Sequence, residues 1–424
     1  MNLVIVGSVI NTMWTAALAT TMILLAGFQG PRPGVTIAAD VTSASGTLED
    51  GWERPIIGDV NSAGVMLGHG DALVVESVRV GGAARLREYH HRHRGWWTRP
   101  RLIHGVRGYV AGLAANSKGD VAMMIATPGD DWATTFRPAG GRWGPVHVIA
   151  PTPSGLPAAS ASSAATRLWL DDMVLDDRGT LFSISESTIM TVDAKGTVRR
   201  WNHDGTVVKS ARGELLATWG CRNNHRLCTA RRSATGRWHN SGRLRVSPYG
   251  VTSALGPGGR AWVADSQGLW AQPRGGAWVR RHGPIGDAIA AGPDGRVAGC
   301  MADRGVLGGT EGAVVTEYTP GSGWRRKELE FLGRNHYDHQ PCTIAYGRRA
   351  ALTVAWSSQL RVAGQVLKVA RKPAGGHWIG PVRLAKVELE LQQIRILIDH
   401  DDNTLLSVHP DEGALALNAY RPHD

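Results

Sequence analysis

Three observations predict an all-β fold, and within that class a ring of eight four-stranded blades, a β-propeller. First, short runs of alternating apolar and polar residues broken by Gly, Pro and Asp fill the chain, and long helical stripes are missing after the N-terminus. Second, one Trp-bearing turn recurs through the 424 residues, which hold 16 Trp against 4 Phe and 7 Tyr. Third, the start of the repeat region carries the piece that the last repeat lacks.

The N-terminus comes first in the chain and stands apart. Its first 31 residues have no charged side chain, and Arg32 is the first. The run MWTAALATTMILLAGF suits the apolar part of a secretory signal or an N-terminal anchor. Residues 1–39 are therefore read as signal peptide or anchor, and 40–424 as one propeller domain. Export places the protein outside the cytoplasm, either secreted or attached to a membrane through this segment.

The Trp turn appears as FRPAGGRWGPV (136–146), ARRSATGRWHN (230–240), AQPRGGAWVRR (271–281), EYTPGSGWRRK (317–327) and ARKPAGGHWIGPV (370–382). Each reads as a strand, a Gly-containing turn, and a Trp that opens the next strand. Upstream of each lies a second turn between apolar runs, with Gly70, Gly119, Gly179, Gly213, Gly259, Gly295 and Gly347 as turn residues and Asn403 in the last unit. Gly and Asn tolerate the positive φ that tight hairpins need. Two hairpin turns per unit give four strands, a to d, and the period of about 40–55 residues fits propeller blades. Units start near 60, 109, 168, 206, 249, 286, 338 and 391. Unit three matches least, with Trp201 late in GTVRRWNH, and seven blades is the alternative.

The eighth unit stops at LNAYRPHD, before its Trp and strand d. EDGWERPIIGD, with Trp52, matches the segment at Trp97 and supplies the missing strand. The last blade is expected from 391–424 plus about 50–57. Such closure leaves no open sheet edge, so a monomer is expected.

The stretch YHHRHRGWW (89–97) falls on the c–d turn of blade one. His90, His91 and His93 lack an Asp, Glu or Cys within the turn to complete a metal set. A plain solvated turn is the expectation. No cofactor motif and no nucleic-acid motif occurs. The four cysteines form no CxxC, and an even number beside an export signal suggests disulfides Cys221–Cys228 and Cys300–Cys342. The net charge of +11 favours acidic partners through general electrostatics.

The unit resembles the repeats of secreted bacterial β-propellers with sialidase-like or lectin-like architecture, over nearly all of 41–424. That resemblance implies the fold and no particular activity. Sialidase Asp-boxes, S-x-D-x-G-x-x-W, do not occur, and neither does the tryptophan-docking repeat of quinoprotein dehydrogenases.

In a propeller the a–b and c–d turns share one face, and the b–c turns and d-to-a links share the other. The second face is the expected site, since loops on a rigid frame carry function. Its b–c turns offer Glu76, Asp130, Asp131, Glu186, Arg222, His225, Asp265, Asp303, Arg304 and Asp411. Hairpin chemistry alone also selects such residues. The link GRNHYDHQPC adds Arg334, His336, Tyr337, Asp338 and His339. These residue types suit hydrogen bonding and stacking against a sugar, or contact with a protein. The expected function is a non-enzymatic binding module for a glycan or protein ligand. The alternative is an extracellular glycoside hydrolase or polysaccharide lyase using acidic and His residues of the same face.

Overall fold

A computed structural model describes residues 51–53, 56–58, 62–93, 95–129, 131–149, 173–185, 188–201, 205–221, 226–247, 250–265, 268–281, 286–302, 313–330, 342–359, 365–387, 391–399, 401–410 and 416–422. These residues form eight antiparallel four-stranded sheets. Blade one has strand a at Ser62–Gly68, b at Asp71–Val80, c at Ala83–His91 and d at Arg101–Arg107. Blades two to seven follow over 109–149, 174–201, 205–244, 252–281, 288–328 and 342–387. Strand a of every blade packs on strand a of the next, and blade eight returns to blade one, so the ring is closed with strand a innermost. Among the described residues no helix is long and apolar enough to cross a membrane. The expected export segment, 1–39, lies outside the described residues.

Blade eight takes Leu391–Ile398, Thr404–Pro410 and Ala416–Arg421 from the C-terminus and Ile56–Gly58 as its fourth strand. Ile56 pairs with Asn418 and Gly58 with Ala416, and the Glu53 amide donates to the Tyr420 carbonyl at 2.8 Å. Eight blades with an N-terminal closing strand is the arrangement the repeats predict, and the seven-blade alternative is set aside.

The a–b turns repeat one pattern of backbone bonds. The first residue's amide reaches the fifth residue's carbonyl, and the fourth residue's amide reaches the first residue's carbonyl, at 116–120, 176–180, 210–214, 256–260, 347–351 and 399–403. The fourth residue is left-handed, as in Gly179 with φ 78°. Counting from the first residue corrects two expected positions. In blade seven the left-handed residue is Ala350 (φ 67°), not Gly347, and in blade eight it is Asp402 (φ 66°), not Asn403.

The repeat Trp seals the seam to the preceding blade. Trp143 packs on a core shared by blades one and two, Trp324 on one shared by five and six, and Trp378 on one shared by six and seven. Trp52 joins the core between blades seven and eight. In blade three the corresponding position is Val198, which packs on the core shared with blade two. Trp201, the expected match, is instead the last residue of strand d.

A polar latch accompanies several seams. The residue six positions before the repeat Trp is His91, Arg137, Arg232 or Lys372. Each bonds a carboxylate from the preceding blade: Glu53, Glu88, Asp176 and Glu317 respectively. In blade five the position is Gln272, which accepts from Arg231 Nε at 2.9 Å. Burial raises the cost of leaving any of these groups unpaired.

In the stretch 89–97 the turn residues Arg92, His93 and Trp96 are exposed, as expected, but His91 is not. His91 is 1% exposed and stacks on Tyr420 with ring centroids 3.8 Å apart. His90 points to the other side, 3.2 Å from Glu88. Strand c ends at His91, so the alternation that would have put His93 beside it stops. His93 is exposed, and its amide donates to Asp71.

Candidate functional site

The face of the b–c turns and d-to-a links is built from stems whose polar groups are largely committed to the frame. Glu76 sits level with Ser62 at the mouth end of strand a and is 1% exposed. Its Oε1 accepts from Arg87 Nε and Tyr89 Oη across the b–c hairpin. Burial, with the Glu76 charge beside it, pushes the Tyr89 hydroxyl up from its ordinary value. Asp265 is 4% exposed and accepts the Gly268 amide at 2.9 Å, which closes the b–c turn of blade five. Asp131 is exposed at the b–c turn of blade two, where its backbone exchanges bonds with Thr127.

Two disulfides tie down neighbouring loops. Cys221 and Cys228 close the b–c turn of blade four with Cα atoms 5.3 Å apart. Cys300, on strand b of blade six, joins Cys342, the first residue of blade seven, at 6.2 Å. Both pairings agree with the expectation from sequence.

The link from blade six to blade seven is held at each end. At its start, Glu330 accepts from Trp356 Nε1 at 2.8 Å and from Lys368 Nζ. At its end stands the Cys300–Cys342 bond. Cys342, Trp356 and Lys368 are cross-strand partners, so one row of blade seven supports both stems. The residues between, 331–341, include Arg334, His336, Tyr337, Asp338 and His339 and lie outside the described residues. Asp130, Glu186, Arg222, His225, Asp303, Arg304 and Asp411 do so too.

The structure thus brings Glu76 and Asp265 into the scaffold and leaves Asp131 at the surface. Sequence reasoning passed over the Glu330, Trp356 and Lys368 cluster. Its signal was present: Lys368 interrupts the apolar strand QVLKVARK, and a buried lysine needs an acidic partner. Among the described residues no group of three or more His, Cys, Asp or Glu is placed to hold a metal ion.

No protein-family model matches the chain, and no curated protein does. Solved structures do. A catalytically inactive virginiamycin B lyase from Staphylococcus aureus, solved with quinupristin, is 10% identical, with TM-score 0.45, 82% of this chain and 99% of that one covered. A polysaccharide lyase, an ulvan lyase, is 12% identical, with TM-score 0.42 and 86% and 93% covered. The Chaetomium thermophilum protein Sqt1 is 11% identical, with TM-score 0.48 and 86% and 96% covered. No ligand or reaction passes to this chain from likeness at that level.

Proposed function

We propose that the protein is an exported, non-enzymatic binding module that takes a glycan or protein ligand on the face of the b–c turns and d-to-a links. The observation that carries this reading is the staking of the 331–341 link. Its two ends are fixed by the Glu330 cluster and the Cys300–Cys342 bond, and its residues are hydrogen-bonding and stacking types. A loop held at both stems loses less entropy on binding than a free one. Glu76 and Asp265, two of the carboxylates a hydrolase at this face could use, are engaged in the frame instead. Two disulfides fit folding in an oxidising compartment.

The test is a glycan array read with the protein and with a His336→Ala/Asp338→Ala variant, at low and high salt, with bound glycans analysed afterwards. Salt-resistant binding that the variant loses, with the glycan recovered intact, supports the module. Shortened or unsaturated glycan products would establish the lyase or hydrolase alternative in its place.

A further inference from the structure

Between blades three and four, at the a–b and c–d turns, lies a cleft of about 380 Å³. Small-ligand sites span about 300–1,000 Å³. Strand register builds its floor. Phe182, Thr191 and Arg199 are successive cross-strand partners in blade three and share one side of the sheet. Arg232 and Trp238, partners in blade four, form the facing wall. The a–b turn adds Arg178, and the c–d turn adds Asp193 and Thr197.

These groups are held in place within the fold. Arg232 is bonded to Asp176, and its guanidinium lies over Phe182 at 5.3 Å and Trp238 at 6.0 Å. The two aromatic rings meet edge to face at 6.1 Å. Arg178 Nη1 donates to the Thr235 carbonyl at 2.8 Å and so spans the two blades. Asp193 Oδ1 accepts the Lys195 and Thr197 amides, each at 2.9 Å. Arg199 is exposed and pairs with no carboxylate among the described residues. With Arg232 matched by Asp176, Arg178 and Arg199 stand against Asp193 among the lining residues, and Lys195 of the same turn acts on Asp193, so the cleft carries an excess of positive charge.

We propose that this cleft binds an acidic saccharide, one hexuronate unit at a time, with the carboxylate on Arg199. A pyranose ring has an apolar face that packs on aromatic carbon, here that of the half-buried Trp238, with Phe182 buried beneath the Arg232 guanidinium. Its hydroxyls meet Asp193 and the threonine hydroxyls, and charged partners make the stronger hydrogen bonds. A carboxylate matches the excess positive charge. A neutral sugar leaves Arg199 uncompensated, and an apolar ligand leaves the polar lining desolvated and unpaired. This site lies on the face opposite the one discussed above and stands independently of that reading.

Calorimetric titration of the protein with tetragalacturonate, beside neutral maltotetraose, tests the assignment at physiological ionic strength. Tetragalacturonate is expected to bind at least tenfold tighter than maltotetraose, and Arg199→Ala to weaken it at least tenfold. Arg281→Ala, an exposed arginine of blade five, is expected to leave binding unchanged. Arg199 is a surface residue, so its loss does not threaten the fold, and Trp238→Leu serves as a second variant expected to weaken binding. Equal affinity for the two sugars, no binding, or equal losses from Arg199→Ala and Arg281→Ala would each overturn the assignment.

Discussion

His91 Nε2 lies 2.9 Å from Glu53 Oε1 inside the seam where blade eight meets blade one. The histidine comes from the first blade and the glutamate from the segment that closes the last, so the pair joins the two ends of the repeat array. Both are buried, and Tyr420 stacks on the imidazole while donating to the Gly70 carbonyl at 2.7 Å. Asp399 completes the seam by accepting the Gly70 amide at 2.6 Å.

Removing the imidazole strands a buried carboxylate and loses the stack. His91→Ala is expected to lower unfolding free energy by about 2–4 kcal/mol. The double replacement His91→Ala/Glu53→Ala is expected to cost less than the sum of the two single alanine variants. Denaturant titration measures both, and strict additivity would show that the two residues do not act as a pair.

Ala350 adopts the left-handed conformation that glycine takes in blades two to five. An L-residue there carries about 1–2 kcal/mol of strain, while glycine adds back about 0.5–1 kcal/mol of unfolded-chain entropy. Ala350→Gly is expected to stabilise the protein by about 0.5–1 kcal/mol, and Gly179→Ala to destabilise it by about 1–2 kcal/mol. Thermal melts decide, and a lower Tm for Ala350→Gly would refute the strain argument.

Lys368 and Glu330 are bonded with side chains only 9% and 17% exposed. Removing one partner of such a pair costs about 3–5 kcal/mol, because the other charge stays buried. Glu330→Ala is expected to show that loss. Glu330→Leu combined with Lys368→Met is expected to recover most of it, since the charge left behind is also gone. A double variant no better than Glu330→Ala would mean the link stem needs the charges themselves.

Acid should weaken the latches. Desolvation raises the Glu88 carboxyl, but bonds from His90 and Trp143 and the Arg137 charge leave it below the ordinary glutamate value. Asp177 is likewise raised by desolvation yet held low overall by the Ser117 amide and Lys209. A carboxyl whose folded pKa is depressed contributes stability above its unfolded pKa and loses it as pH falls through the folded one. Stability from these groups is therefore expected to hold above about pH 5 and to decline below about pH 4. Glu88→Gln is expected to flatten that decline, as followed by denaturant midpoints across the range, and an unchanged slope would count against the Glu88 latch.

The ring was legible because its signals are chemical requirements that recur around it, with Val198, Ala350 and Asp402 as exceptions. A left-handed turn position selects Gly, and a seam between blades selects Trp. Even the closing strand could be read, since Trp52 completes what the C-terminus lacks. The latches were harder to see. His91 looks like one more residue of a basic turn until it is aligned with Arg137, Arg232 and Lys372 at the same distance from their tryptophans. The face of the b–c turns was the least legible. Whether Glu76 faces a ligand or the frame depends on Arg87 and Tyr89 across its hairpin, and hairpin turns select Asp and Asn for backbone reasons in any case. The cleft at Arg199 escaped notice because its walls come from two repeats that meet only when the blades stack.

The proposed binding puts the ligand on the loops of the b–c and d-to-a face without transforming it. Amide hydrogen exchange on the protein, with and without the strongest glycan from the array, tests it most directly. Protection is expected to concentrate in 222–227 and 331–341, with the glycan recovered intact. Protection confined to the turns at 176–180, 193–197 and 233–237, or a cleaved glycan, would contradict it.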